Sequence, residues 1–124
     1  MLADSNIFIY ALKPDGRRFL RFIYERLPVV SAITLVEVLG TTHLHPTDMR
    51  RMRELFERLT ILPLDAAVLD RAIALRQQRR MGLADALIAA TALAYGRTLV
   101  TRNTVDFAWV PDLRMVDPLT AEGE

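Results

Sequence analysis

The sequence has no cysteine, a single lysine (Lys13) and only two histidines among 124 residues. The absence of cysteine excludes disulfides and thiolate metal sites, and leaves carboxylates and the histidines as the side-chain ligands for any metal. Hard, oxygen-bound cations are therefore favoured over soft ones. No run of about eighteen apolar residues occurs, which excludes a membrane-spanning helix. The opening MLADSN has neither the basic flank nor the apolar stretch of a signal peptide, so a cytoplasmic protein is expected. Glycine-rich phosphate loops, low-complexity segments and internal repeats are also missing. A net charge of +1 is too small to announce nucleic-acid binding. Two local basic groups stand out nonetheless, Arg50, Arg51 and Arg53, then Arg76, Arg79 and Arg80. Each reads either as a solvated helix face or as a contact for a polyanion.

With 52% hydrophobic residues, the chain is long enough for one domain with a real core, over residues 1–124, and too short for two. Its most apolar stretch is Leu83 to Gly96, LADALIAATALAYG, which predicts a helix buried on nearly every side. The only charge in it is Asp85. An acid in a first turn has a local explanation, because it caps free amides and suits the positive end of the helix dipole. Its meaning therefore depends on what the surrounding strand ends carry.

Short apolar strands are predicted at residues 1–3, 29–31, 61–63, 98–101 and 113–116, the last followed by a polar tail. Helices lie between them. Thr47 is expected to cap a helix with Met49, Met52, Phe56 and Leu59 on its buried side. Asp65 is expected to cap the next, with Val68, Leu69, Ala72 and Ile73 buried. This alternation predicts an α/β fold of three layers, a central parallel sheet of about five short strands covered by helices on both faces. In open α/β sheets, ligands bind beyond the carboxyl ends of the strands. Asp4 follows the first strand, Glu37 lies within two turns of the second, and Thr101-Arg102-Asn103 follows the fourth. Asp85 begins a helix whose amino end faces the same edge, so polar groups from four separate places converge on one rim.

Clustered acids repel one another, and proteins keep them where a cation binds or a proton is shared. Oxygen donors without cysteine suit magnesium or manganese. Such an ion polarises phosphate and lowers the pKa of water, which makes phosphodiester hydrolysis the natural reaction.

Four segments resemble the motifs of PIN-domain proteins: Asp4-Ser5-Asn6, Ser31 to Glu37 (SAITLVE), Ala84 to Ala92 (ADALIAATA) and Val100 to Phe107 (VTRNTVDF). Among these proteins the chain looks most like the VapC-type toxins of prokaryotic toxin–antitoxin pairs. Four motifs in order over the whole chain are far more specific than any one of them. The resemblance implies a magnesium-dependent endoribonuclease in which Asp4, Glu37 and Asp85 are the shared acids, with Asn6 and Thr34 orienting the ligands. It also implies an RNA substrate, a homodimer, and a cognate antitoxin that covers the site in a heterotetramer or larger assembly. One departure concerns the fourth position: many PIN domains place an acid where this chain has Asn103, with Asp106 three residues further on. The alternative function is a catalytically inactive PIN-like module that binds RNA or protein.

Other constellations are weaker. His43-Leu44-His45 has no third ligand nearby and reads as a loop before Pro46. A haloacid-dehalogenase phosphatase would carry a second aspartate two residues after Asp4, where Asn6 stands. A receiver-type phospho-acceptor would carry an acid after the third strand, which here ends in Pro63. Trp109 fits a core position, or alternatively a surface on which a base stacks.

Overall fold

The pleat of five two-residue strands divides the core. The computed structural model describes residues 1–122, with β1 at Leu2–Ala3, β2 at Val30–Ser31, β3 at Ile61–Leu62, β4 at Leu99–Val100 and β5 at Met115–Val116. All pairings are parallel: β1 with β4, β4 with β5, and β2 with β3. A bridge between Leu2 and Val29, with hydrogen bonds from Ala3 N–H to Val29 O and from Val29 N–H to Met1 O, sets β2 beside β1. The spatial order is therefore β3-β2-β1-β4-β5. The sheet expected from the sequence is present as two ladders joined at that bridge.

Successive side chains on a strand face opposite ways, and the two halves of the core follow that alternation. Ala3, Val30 and Val100 pack with Ile7 and Phe8 of helix α1 (Ser5–Ala11), Phe22 and Ile23 of α2 (Arg17–Arg26), and Leu55 and Phe56 of α4 (Pro46–Glu57). Leu2, Leu62 and Leu99 pack on the other face with Leu75 of α5 (Ala66–Gln78), Ile88 of α6 (Leu83–Ala94) and Phe107 of α7 (Thr104–Phe107). Helix α3 (Ala32–Leu39) follows β2 directly, and α8 (Pro118–Glu122) occupies part of the expected polar tail. The predicted buried helix is α6, where Ala86, Ala89, Ala90 and Ala92 have no exposed surface. Ala86 and Ala90 let α5 approach closely through Val68 and Ala72.

Three local expectations are corrected. The cap of α4 is His45, whose Nδ1 accepts from the Thr47 amide, because Pro46 already occupies the first turn. On α5 the stripe is Val68, Ala72 and Leu75, while Leu69 and Ile73 are 44% and 57% exposed. A helix turns about 100° per residue, so the face that meets α6 turns those two away. On α4, Leu55 joins the buried face and Met49 is only partly covered. Asp65 caps α5 as expected, accepting from the Val68 amide.

The strand order fixes where a site belongs. From β1 the chain steps to β2 and β3 on one side, then crosses back to β4 and β5 on the other. This reversal leaves a crevice beyond the carboxyl ends of β1 and β4. Asp4 and Thr101 are the first residues past those ends.

Candidate active site

Asp4 is both the end of the sheet and the start of a helix. Its amide donates to Val100 O, continuing the β1–β4 ladder, and its extended backbone makes it the N-cap of α1. Its Oδ1 accepts from the Ser5 amide at 2.7 Å and its Oδ2 from the Thr101 hydroxyl at 2.8 Å. Only 5% of the residue is exposed. Burial raises the Asp4 carboxyl to about 6, against the two hydrogen bonds that favour its charged form, and the negative charges of Asp85 and Glu37 add to the rise.

Glu37, on the second turn of α3, is brought to the same place from the β2 side. Its Oε1 accepts from the Ser5 hydroxyl at 2.6 Å, and that hydroxyl lies 3.1 Å from the buried Thr34 hydroxyl. Ser5 thus ties α1 to α3 and holds Glu37 beside Asp4. Asp85 sits in the first turn of α6, after Gly82, which supplies no side-chain cap. Among the described residues Asp85 accepts no hydrogen bond from the helix amides, so its position is not that of a capping group. Burial raises its carboxyl, and the charges of Glu37 and then Asp106 raise it further.

The rim is formed by the segment after β4. Asn103 N–H donates to Thr101 Oγ1, and Asn103 Nδ2 donates to Asp106 Oδ2 at 2.9 Å. Asp106 therefore steadies Asn103 and faces Asp85 rather than capping α7. Asn6 completes the interior: its Nδ2 lies 3.4 Å from Thr101 Oγ1, and its buried Oδ1 has no hydrogen-bond partner among the described residues. The seven positions singled out in the sequence are thus joined, directly or through one neighbour, by hydrogen bonds or charge. His43 and His45 stand apart on the α3–α4 loop.

Among the described residues, no three His, Asp or Glu side chains close into a ready three-donor cage for a metal. Magnesium keeps several waters and takes one or two carboxylates directly. The carboxylates and the unpartnered Asn6 oxygen are donors of the type such a hard ion takes, although they are not closed around one position. Zinc, usually enclosed by three or four protein donors, they do not fit. A cleft of about 650 Å³ opens at this rim, lined by Asp85, Asp106, Arg79, Arg80 and Trp109 among others.

The PIN-domain family model matches residues 1–112. The chain belongs to the PIN-domain family. A toxin–antitoxin complex from Klebsiella pneumoniae contains a chain 32% identical, with a TM-score of 0.76, covering 94% of this chain and 96% of that one. FitAcB from Neisseria gonorrhoeae is 25% identical with the same TM-score, covering 95% and 97%. DNA-bound VapBC from Salmonella typhimurium, at 23% identity, shares the fold with a TM-score of 0.82 over 94% and 96%. No curated protein matches the sequence. This PIN domain thus resembles the toxins of VapBC-type pairs, and among its described residues no helix is long and apolar enough to cross a membrane.

Two residues of the PIN site carry more than the sequence assigned them. Ser5 and Thr101 each bind a carboxylate directly, and the available signal was position alone, since each lies at a strand end. The pair Arg79 and Arg80 and the separate Trp109 were distant features in the sequence, and the turn between α5 and α6 and the segment after α7 bring them to one cleft.

Proposed function

We propose that this PIN domain is a metal-dependent endoribonuclease and the toxin member of a toxin–antitoxin pair. The observation that carries this reading is the placement of Glu37, through Ser5, beside the buried Asp4 at the sheet's switch point, where the charges of Asp85 and Glu37 act on Asp4. Asp4, Asp85 and Glu37 would hold magnesium or manganese, with Asp106 and Asn103 at the outer edge and Asn6 and Thr34 as orienting groups. When bound, such an ion supplies charge neutralisation at a phosphate and a lowered pKa for an attacking water. The Thr101 hydroxyl and the Ser5 amide favour the charged form of Asp4 and fix its direction. Ser5 positions Glu37 through its hydroxyl.

The toxin reading is supported by the 32% identity to a chain of the Klebsiella complex. It brings with it an RNA substrate, a homodimer, a cognate antitoxin and a cytoplasmic location. Purified protein incubated with total RNA should cut it only when magnesium or manganese is present and leave 5′-phosphate ends. Cleavage that persists in chelator, or 2′,3′-cyclic phosphate products, would overturn the mechanism. The open spacing of the acids favours one second reading, a PIN-like module that binds RNA or protein without cleaving. A calorimetric titration that detects no magnesium binding at neutral pH would decide for it.

A further inference from the structure

Beyond the acids, the cleft has a wall of different chemistry. Trp109 is partly buried, packed against the core cluster that holds Ile88 of α6 and Phe107 of α7, and it lines the cleft. The Arg79 guanidinium carbon lies 5.5 Å from the centre of its ring. Arg80 lines the same space, and among the described residues neither arginine makes an ion pair. Val105, 84% exposed, forms an apolar lip beside Asp106. Two cations without carboxylate partners among the described residues, an aromatic ring and an apolar edge thus stand next to Asp85 and Asp106.

We propose that Trp109, Arg79 and Arg80 form a subsite for one nucleotide of single-stranded RNA, adjoining the bond to be cut. This rests on the ribonuclease reading and adds to it the group that seats the substrate. Trp109 stacks on an unpaired base, which takes the ring face that the exposed Arg79 side chain covers in the free protein; every base offers a π-face for this and a base inside a duplex does not. Arg79, moved off the indole as the base enters, and Arg80 meet the neighbouring phosphates. The subsite supplies positive charge where Asp85 and Asp106 alone would repel the RNA backbone. Trp109 is accordingly a positioning residue, and it selects for unpaired strands rather than for sequence.

Trp109 is the only tryptophan in the chain, so its emission reports on the subsite directly. Wild-type protein is titrated in chelator with a hexaribonucleotide of mixed sequence. The expected result is saturable quenching that weakens with salt. Arg79→Ala and Arg80→Ala, at exposed positions, should each lower the slope of log K against log salt by about 0.7. Anisotropy of a labelled hexamer should show affinity falling roughly 5- to 150-fold in Trp109→Ala and far less in Trp109→Phe. Unchanged emission on RNA addition, or unchanged salt slopes in both arginine variants, would overturn the subsite. So would a signal that moves with a protein partner and not with RNA. Cleavage in magnesium without quenching would discard the subsite and retain the nuclease, whereas quenching without cleavage would do the reverse.

Discussion

The Thr101 hydroxyl donates to Asp4 Oδ2 at 2.8 Å, joining the ends of two neighbouring parallel strands. The bond stabilises the charged form of a carboxyl that burial otherwise drives toward neutrality. Thr101→Val keeps the shape and removes the donor. The pH midpoint of metal-dependent cleavage should then move upward by about one to two units, since a hydrogen bond to a charged group is worth about 1.5–3 kcal/mol. Rate profiles of the two proteins between pH 5 and about 9 check this, and coincident profiles would remove Thr101 from that role.

Asp4 also sets a pH dependence of stability. Its carboxyl is raised to about 6 in the folded chain from 3.8. Between those values the folded state binds more protons than the unfolded state, so stability falls as pH rises. The difference amounts to about 3 kcal/mol for this group once the pH exceeds both values. Metal-free protein should melt higher near pH 4.5 than near pH 7 on this account, and Asp4→Asn should flatten the trend. Magnesium should raise the melting temperature at pH 7 and lose most of that effect below about pH 5, where Asp4 is protonated.

Asp85→Asn tests a residue that accepts no bond from its own helix. Removing its charge relieves repulsion from Glu37 and Asp106. The variant should keep or gain stability in chelator, within about 1 kcal/mol, while cleavage falls by at least about 100-fold. Chemical denaturation beside a cleavage assay reads both quantities, and a stability loss with activity intact would return Asp85 to a purely structural role.

Asp106 lies one step further out, holding Asn103 and acting on Asp85 through its charge. In Asp106→Asn the field weakens without loss of the inner acids. The magnesium concentration for half-maximal cleavage should rise, and excess magnesium should restore most of the rate. If the variant only melts earlier, with its magnesium dependence unchanged, Asp106 has no part in metal affinity.

A control outside the acid cluster is His45, whose ring caps α4. His45→Ala should cost about 1 kcal/mol in urea unfolding and leave cleavage unchanged. His45→Asn should recover most of that loss. Reduced cleavage at equal folded fraction would mean that the loop before α4 reaches the substrate.

The strands and the acids are legible in the sequence for different reasons. Each strand is a short β-rich apolar run bounded by a polar or proline residue, and Asp4 and Thr101 stand immediately after two of them. Asp85 is conspicuous because an otherwise apolar helix carries no other charge. Less legible is anything decided by rotation about a helix axis: Leu69 and Ile73 look as buried as Val68 until α6 fixes the face of α5 that packs. The cap of α4 falls two residues before the expected Thr47 because threonine is a common cap and histidine is not, although His45 leaves the first turn free to begin at Pro46. Ser5 is hidden for another reason. Its partner Glu37 lies 32 residues away, and local pattern carries no distance information across such a gap.

The β1–β4 register pairs Leu2 with Leu99 and Ala3 with Val100, and counting one step further pairs Asp4 with Thr101. Their amides still bond to strand carbonyls, Asp4 N–H to Val100 O and Thr101 N–H to Val116 O. The carboxylate bond thus occupies the place of the ladder's third rung, where the sheet passes from main chain to side chain. A two-rung ladder has no spare length to absorb fraying, so opening β4 by a single residue separates Asp4 from the group that orients it. Amide hydrogen exchange at Asp4 and Thr101 should therefore proceed through a shared opening, with the integrity of the acid cluster readable from these two protons.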